Sequence, residues 1–416
     1  MTAARAELEA LLDSFDKNAH RGGDISLDPI RQILARLGHP QDNFPPVIHI
    51  AGTNGKGSTA AFVRSIAEAA GLKTHVSTSP HLVRINERVR LAGSLIQDEY
   101  FLECCKRAAM AAKGIQTSYF ELTFAAAAIA FAEMSADLLV LEVGLGGLLD
   151  ATNIIDDPAV SMITPIGLDH QAILGTTIAQ IAWKKAGIIK HGRPVVSAVQ
   201  TADAAGVISE EAFAKSAPLH IVSPEDVAAI DGPVGLLGAH QRENAALAIK
   251  ALQVWGHSAI DVPPIRNGLA AVSWPARMQK LGSGPLTDQF PGLDLWLDGG
   301  HNPHGARALA KIVQDMPGRT ALVMSMLEGK DARGFLEALK PATTDLFTMP
   351  IPSTYNGFDP EALAELGASL EFRSAASTSL QSALTFALEA NFDRALICGS
   401  LYTAGLVLDQ NDEAPI

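Results

Sequence analysis

Cysteine is scarce: Cys104, Cys105 and Cys398 are the three in a chain of 416 residues. Three cannot build a disulfide framework or a metal cluster, so we expect packing residues in a reducing, cytoplasmic setting. Long apolar runs are missing too. The most apolar stretch, 122–132, has roughly half the length a spanning helix needs, is mostly alanine, and is bounded by Glu121 and Glu133. A mean hydropathy of +0.17 therefore points to buried strands and Ala-rich helices, not to a membrane. Arg5, Glu7, Glu9 and Asp13 come before any apolar run, which argues against a signal peptide. Positive charge is also short, with 32 Lys and Arg against 45 Asp and Glu, a net charge of −13. That balance excludes a nucleic-acid or polybasic membrane partner while allowing local basic pockets.

What is present is alternation. Strand-like runs at Val47–Ala51, Leu138–Glu142, 160–164 and 194–199 recur at 293–298, 320–326, 346–350 and 395–399. Segments of helical period lie between them, as at 59–70, 305–315 and 380–390. This pattern reads as α/β with mostly parallel sheets. Turn residues from Gly282 to Gly292 predict a linker at 283–292, joining a larger domain (1–282) to a smaller one (293–416). The polar residues 409–416 are expected to fray.

The first strand runs into Gly52-Thr53-Asn54-Gly55-Lys56-Gly57-Ser58 and then a helical pattern. Strand, glycine-rich turn and helix N-terminus is the context in which backbone N–H groups and the helix dipole hold phosphate. Lys56 would reach the outer phosphates and Ser58 would lie near a Mg²⁺ ion.

Two further strands end in carboxylates, Glu142 before Val143-Gly144-Leu145-Gly146-Gly147 and Asp298 before Gly299-Gly300-His301-Asn302-Pro303-His304. Ligands of α/β sheets bind at such carboxyl ends, and a carboxylate there suits a hard cation. Asp169-His170 follows a third strand. On the next helix Ile178, Ile181 and Ala182 form an apolar stripe whose i+7 position is Lys185. A lysine on a buried face can snorkel to water, act as a neutral base, or add CO₂ to become a carbamate; the pattern leaves all three open.

Together these residues resemble the folylpolyglutamate synthase and dihydrofolate synthase family of the Mur ligase superfamily, the bacterial bifunctional type included. The resemblance spans nearly the whole chain. It rests on A-G-T-N-G-K-G-S (51–58), S-P-H-L-V-R-I-N-E-R (79–88), L-E-V-G-L-G-G-L-L-D-A-T-N (141–153), L-D-H-Q (168–171) and W-K-K-A-G-I (183–188). Further pieces are H-Q-R-E-N-A (240–245), D-G-G-H-N-P-H (298–304), Gly329-Lys330-Asp331 and C-G-S-L-Y-T (398–403). It implies an N-terminal phosphate-loop NTPase-like domain followed by a smaller Rossmann-like α/β domain.

The implied activity is ATP-dependent, ADP-forming ligation of L-glutamate to dihydropteroate or to the terminal glutamate of reduced folates, through an acyl phosphate. The resemblance assigns Gly52, Thr53, Asn54, Gly55, Lys56, Gly57, Ser58, Asn244, Arg277 and Asp298 to ATP. Ser79, Glu142 and His170 would bind magnesium, in a site holding two Mg²⁺ ions. Lys185 falls where the family carries a carbamylated lysine (N6-carboxylysine). Asp24, Ile25, Arg84, Thr117, Ser118, Tyr119 and Asp150 would contact the pterin substrate, and His301 would lie by the nucleotide. Lys56, Lys185, His170, Arg277 and His301 form the expected catalytic group, in a monomer whose two domains close on ATP. Leu148 stands where the family usually has Arg, which implies a lost positive charge near the pterin, and Gly300 replaces the usual Ala. The rival readings are another Mur-type amino-acid ligase, for which the lead before Lys56 is short, and a nucleotide-dependent switch ATPase.

Overall fold

The computed structural model describes residues 2–15 and 26–416. Its first sheet has eight strands: β1 (Val47–Ala51), β2 (Thr74–Ser77), β3 (Val89–Leu91), β4 (Ser94–Leu95), β5 (Leu138–Glu142), β6 (Val160–Ile163), β7 (Val195–Ser197) and β8 (Leu219–Ile221), in the order β4-β3-β2-β5-β1-β6-β7-β8. From β2 to β8 neighbours run parallel, and β3 and β4 form an antiparallel edge. Side chains alternate across the central strands. Val47, Leu139 and Leu141 join one apolar core, while Ile48, Ile50, Leu138 and Val140 join the other. The Ala-rich run proves to be the helix Tyr119–Glu133, apolar all round and buried for most of its length. Among the described residues no helix is long and apolar enough to cross a membrane.

The second sheet comprises β9 (Gln279–Lys280), β10 (Asp294–Leu297), β11 (Thr320–Met324), β12 (Asp345–Thr348), β13 (Arg373–Ala376) and β14 (Arg394–Cys398), in the order β13-β12-β11-β14-β10-β9. All pairs are parallel except β9–β10. The residues expected to link two domains do not stand between the sheets. Leu286 and Phe290 lie buried in the second core beside Ala276 and Leu281, and Gln279 and Lys280 pair with β10. Turn chemistry is present at 282–292, but its apolar residues are packed. Nor does the tail fray. Asn411 is buried, Glu413 accepts from Gly282 N and Gln279 Nε2, and Arg84 holds the Pro415 carbonyl at 2.6 Å. Cys104, Cys105 and Cys398 are buried free thiols, packing residues as expected.

Candidate active site

The carboxyl ends of both sheets face one cavity of about 1000 Å³. Its floor is the loop after β1. Gly55 adopts φ 86° at the N-cap, and the helix Lys56–Ala69 begins there, three residues before the helical pattern at 59–70. Gly52 has φ +151°, and a Cβ on it would overlap the Thr164 side chain. Gly52→Ala should therefore cost about 3 kcal/mol of stability and displace the loop; calorimetry showing an unchanged melting temperature would contradict this. Thr53 is fixed by exchange with Gly167, its hydroxyl 3.1 Å from both the carbonyl and the amide. Lys56 Nζ rests on the Gly52 and Thr53 carbonyls at 3.2 and 3.5 Å, and among the described residues no carboxylate pairs with it. Ser58 is buried under Gln241, which also accepts from Asn244.

Ser79, Glu142 and His170 line the same cavity. The Ser79 amide donates to Glu142 Oε2 at 3.2 Å; burial raises the Glu142 pKa and Lys56 opposes that rise. His170, at φ 49°, opens on the cavity. Enclosure by its walls, then the Lys330 charge, pushes the imidazole pKa down to about 4, so it is neutral at pH 7. Among the described residues no three His, Cys, Asp or Glu side chains form a self-sufficient metal site. A hydroxyl, a carboxylate and a neutral imidazole facing one cavity fit a hard cation that completes its shell with phosphate oxygens and water.

Lys185 is buried, with Nζ donating to the Gly52 carbonyl at 2.7 Å. Burial, then repulsion from Lys56, lowers its pKa to about 7. The snorkelling alternative is thereby lost, because the amine points inward.

The second sheet contributes Asp298, which accepts from Met278 N at 2.8 Å and Gly300 N at 2.7 Å. Arg277 is flanked by Ala276 (φ 53°) and Met278 (φ 43°), non-glycine residues held in the left-handed region. His301 Nδ1 donates to the Gly299 carbonyl at 2.9 Å, which places the ring proton on that nitrogen. Across the cleft Asn54 and Asn302 bond to each other at 3.0 and 3.2 Å, and Asp169 receives Lys330 at 2.7 Å and Asn302 at 3.2 Å. Burial works against Asp169 ionising, but His301 at 3.7 Å with Lys330 and His170 holds its carboxyl well below the usual range.

Not every expected residue reaches the cavity. Asp150 does, though both its oxygens are engaged by Leu145 and Thr152. Thr117, Ser118 and Tyr119 fall outside its lining, with Ser118 capping the helix Tyr119–Glu133; Phe120 and Glu121 face the cavity instead. Arg84 turns to the Pro415 carbonyl, and Arg88 takes the wall. Asp24 and Ile25 lie outside the described residues. Leu148 packs against Gly187 and donates to Lys184 O, while Leu149 lines the cavity, so the absent arginine does not leave a gap in the wall. Asp169 and Lys330 lie in the L-D-H-Q and Gly329-Lys330-Asp331 segments, and only the sheet-to-sheet contact gives them a role.

Residues 50–232 match the Mur ligase middle domain family. The chain is 35% identical over 347 residues to the dihydrofolate synthase/folylpolyglutamate synthase of Bacillus subtilis, covering 76% of this chain and 78% of that one. The chain belongs to this family. Among solved structures, Mycobacterium tuberculosis folylpolyglutamate synthase complexed with ADP and AMPPCP superposes with a TM-score of 0.88 at 29% identity, over 100% and 99% of the two chains. The Escherichia coli member in complex with DHPP and ADP gives 0.85 at 31% identity, over 99% of each. A bifunctional member bound to Mn, AMPPNP and L-glutamate gives 0.84 at 30%, over 98% of each.

Proposed function

We propose that the protein ligates L-glutamate to dihydropteroate, to the terminal glutamate of reduced folates, or to both, forming ADP. The observation that carries this reading is one cavity that joins the phosphate loop on the first sheet to Arg277, Asp298 and His301 on the second. A carboxylate is a poor electrophile. Transfer of the γ-phosphoryl group of ATP makes it an acyl phosphate, the glutamate amine attacks the acyl carbon, and inorganic phosphate and a proton leave.

In that reaction the loop amides of residues 52–58 and Lys56 cradle the phosphates at the helix N-terminus. Arg277 adds positive charge, and Asp298 secures the turn on either side of it through Met278 and Gly300. Asn244 backs the loop, and a Cβ at Gly55 would collide with it. Ser79, Glu142 and His170 would hold Mg²⁺, one of two such ions, which when bound would neutralise phosphate charge. Lys185, its amine neutral in half the molecules at its pKa of about 7, can add CO₂ and become an anion facing that site. Asp150 and the cavity face of residues 120–121 are left to meet the pterin. We further propose a cytoplasmic monomer, with Asn54–Asn302 and Asp169–Lys330 as contacts that nucleotide binding tightens.

The test is ADP release with and without dihydropteroate and glutamate, followed by the same assay with tetrahydrofolate. Release that depends on both substrates is expected; release indifferent to them would favour a switch ATPase and sink the ligase reading. Turnover with each acceptor in turn separates the synthase step from the polyglutamate step.

A further inference from the structure

Cationic side chains in the cavity wall have partners that explain most of them. Lys330 is paired with Asp169, Lys185 and Lys56 rest on loop carbonyls, and Arg277 donates to Ala276 O beside Asp298. Lys184 lies over the exposed Trp183 ring at 5.0 Å. Arg88 is different. It ends the 3₁₀ turn Ile85–Arg88, donates from Nε to His81 Nδ1 at 2.9 Å, and lies 5.7 Å from the Tyr119 ring centroid. Among the described residues no carboxylate comes within 4.0 Å of it. Glu142 acts on it only from farther away, and Tyr402 and Tyr355, stacked at 3.6 Å, are its other neighbours. A guanidinium carries five donors in a planar fork, and four of them, on Nη1 and Nη2, are unspent here. Half-buried in the cavity wall, Arg88 offers those donors to an anion that enters the cavity.

The sheet order says where that ligand lies. β3 begins just after Arg88 and runs antiparallel to β2, so Arg88 sits at the carboxyl edge of the parallel strands. Three strand steps separate β3 from β1, roughly 14 Å at the usual strand spacing. The backbone of Arg88 is thus displaced along the sheet from the loop after β1. The ends of β5 and β2, with Glu142 and Ser79, lie between the two. A glutamyl group whose reacting atom meets the γ-phosphate near Glu142 carries a further carboxylate a few bonds away, within reach of Arg88.

We propose that Arg88 binds a non-reacting carboxylate of the substrates, the chemistry shared by incoming L-glutamate and by the glutamyl tail of a folate, with Tyr402 lining the same cavity. The inference rests on the ligase reading above. A carboxylate that keeps its charge throughout the reaction is held equally in ground and transition states, so the effect belongs in KM and not in kcat.

The experiment is steady-state kinetics of Arg88→Gln and Arg88→Lys, with KM measured for L-glutamate, dihydropteroate and tetrahydrofolate, alongside ADP affinity and melting temperature. Arg88→Gln is expected to raise one KM about 30-fold or more while kcat stays within about threefold. Arg88→Lys, which keeps the charge and loses the fork, should fall between; it also carries the test if the glutamine variant does not fold. A rise for L-glutamate identifies the co-substrate as the source. A rise for tetrahydrofolate without one for dihydropteroate, which has no carboxylate beyond the reacting one, identifies the glutamyl tail. Unchanged KM values, a rise for dihydropteroate, or a loss of kcat alone would overturn the assignment. Wild-type protein that fails to turn over would instead sink the ligase reading, so the two failures are distinguishable.

Discussion

Lys56→Ala is expected to lower kcat/KM for ATP-dependent product at least ~10³-fold while leaving the fold intact. The two halves of that expectation have separate causes. Among the described residues Lys56 Nζ hydrogen-bonds the Gly52 and Thr53 carbonyls, at 3.2 and 3.5 Å, and forms no ion pair, so its removal breaks none there. The loop is shaped by other groups: Gly55 at its left-handed cap, the Thr53–Gly167 exchange and the Pro165 carbonyl that accepts from Thr53 N and Asn54 N. Phosphoryl transfer from ATP to a carboxylate, however, concentrates negative charge at the loop where Lys56 lines the cavity. ADP release and calorimetry on the same preparation check both halves. Normal turnover would refute the role of Lys56, and a melting temperature lowered by more than a few degrees would refute its structural neutrality.

For Lys185→Ala we expect a loss of about 10²-fold or more, partly restored by bicarbonate or formate. An exposed lysine at pH 7 is almost wholly protonated; Lys185, with its pKa pushed down to about 7, is half neutral. Only the neutral amine adds CO₂, releasing a proton as the carbamate forms. Activation by bicarbonate should therefore fade as pH drops from 7 toward 6, and absence of any bicarbonate dependence in wild type and variant alike would count against the carbamate. The sign for stability follows from the same shift. Between pH 7 and 10.5 the unfolded chain holds a proton on this amine that the folded chain has lost, so the unmodified protein gains stability as pH rises through that window. Protonating the buried amine costs about 4–5 kcal/mol relative to an exposed one, enough to make Lys185→Met more stable than wild type near pH 6 although inactive.

Much of the site was legible because its pieces are local. Lys56, Glu142, Asp298 and Lys185 each occupy a position that short-range rules pick out: a loop before a helix, the end of an apolar strand, the inward stripe of a helix. The weaker strands were harder. β2, β8, β9 and β13 are short or carry Thr, His, Gln and Ser, and they form because neighbouring strands offer them a ladder, not because their own pattern demands it. Residues 282–292 pose a related difficulty. Glycine and proline mark turns whether or not the turn is packed, and Leu286 and Phe290 decide that only by finding a core.

The sequence by itself determined the β–loop–helix that meets phosphate, the carboxylates at strand ends, and the α/β class with its two sheets, since periodicity and turn chemistry act within a few residues. Tertiary structure decided which side chains share the cavity. Arg84 and Arg88 stand at either end of one short 3₁₀ turn, and both look like anion ligands. Packing against the chain's last residues takes Arg84, and the opening between the sheets takes Arg88. Likewise Asp169 and Lys330, 161 residues apart, become a pair only when the second sheet is set against the first. A guanidinium or carboxylate has no preference of its own for one side of a turn; burial and the partners that long-range contacts deliver make the choice.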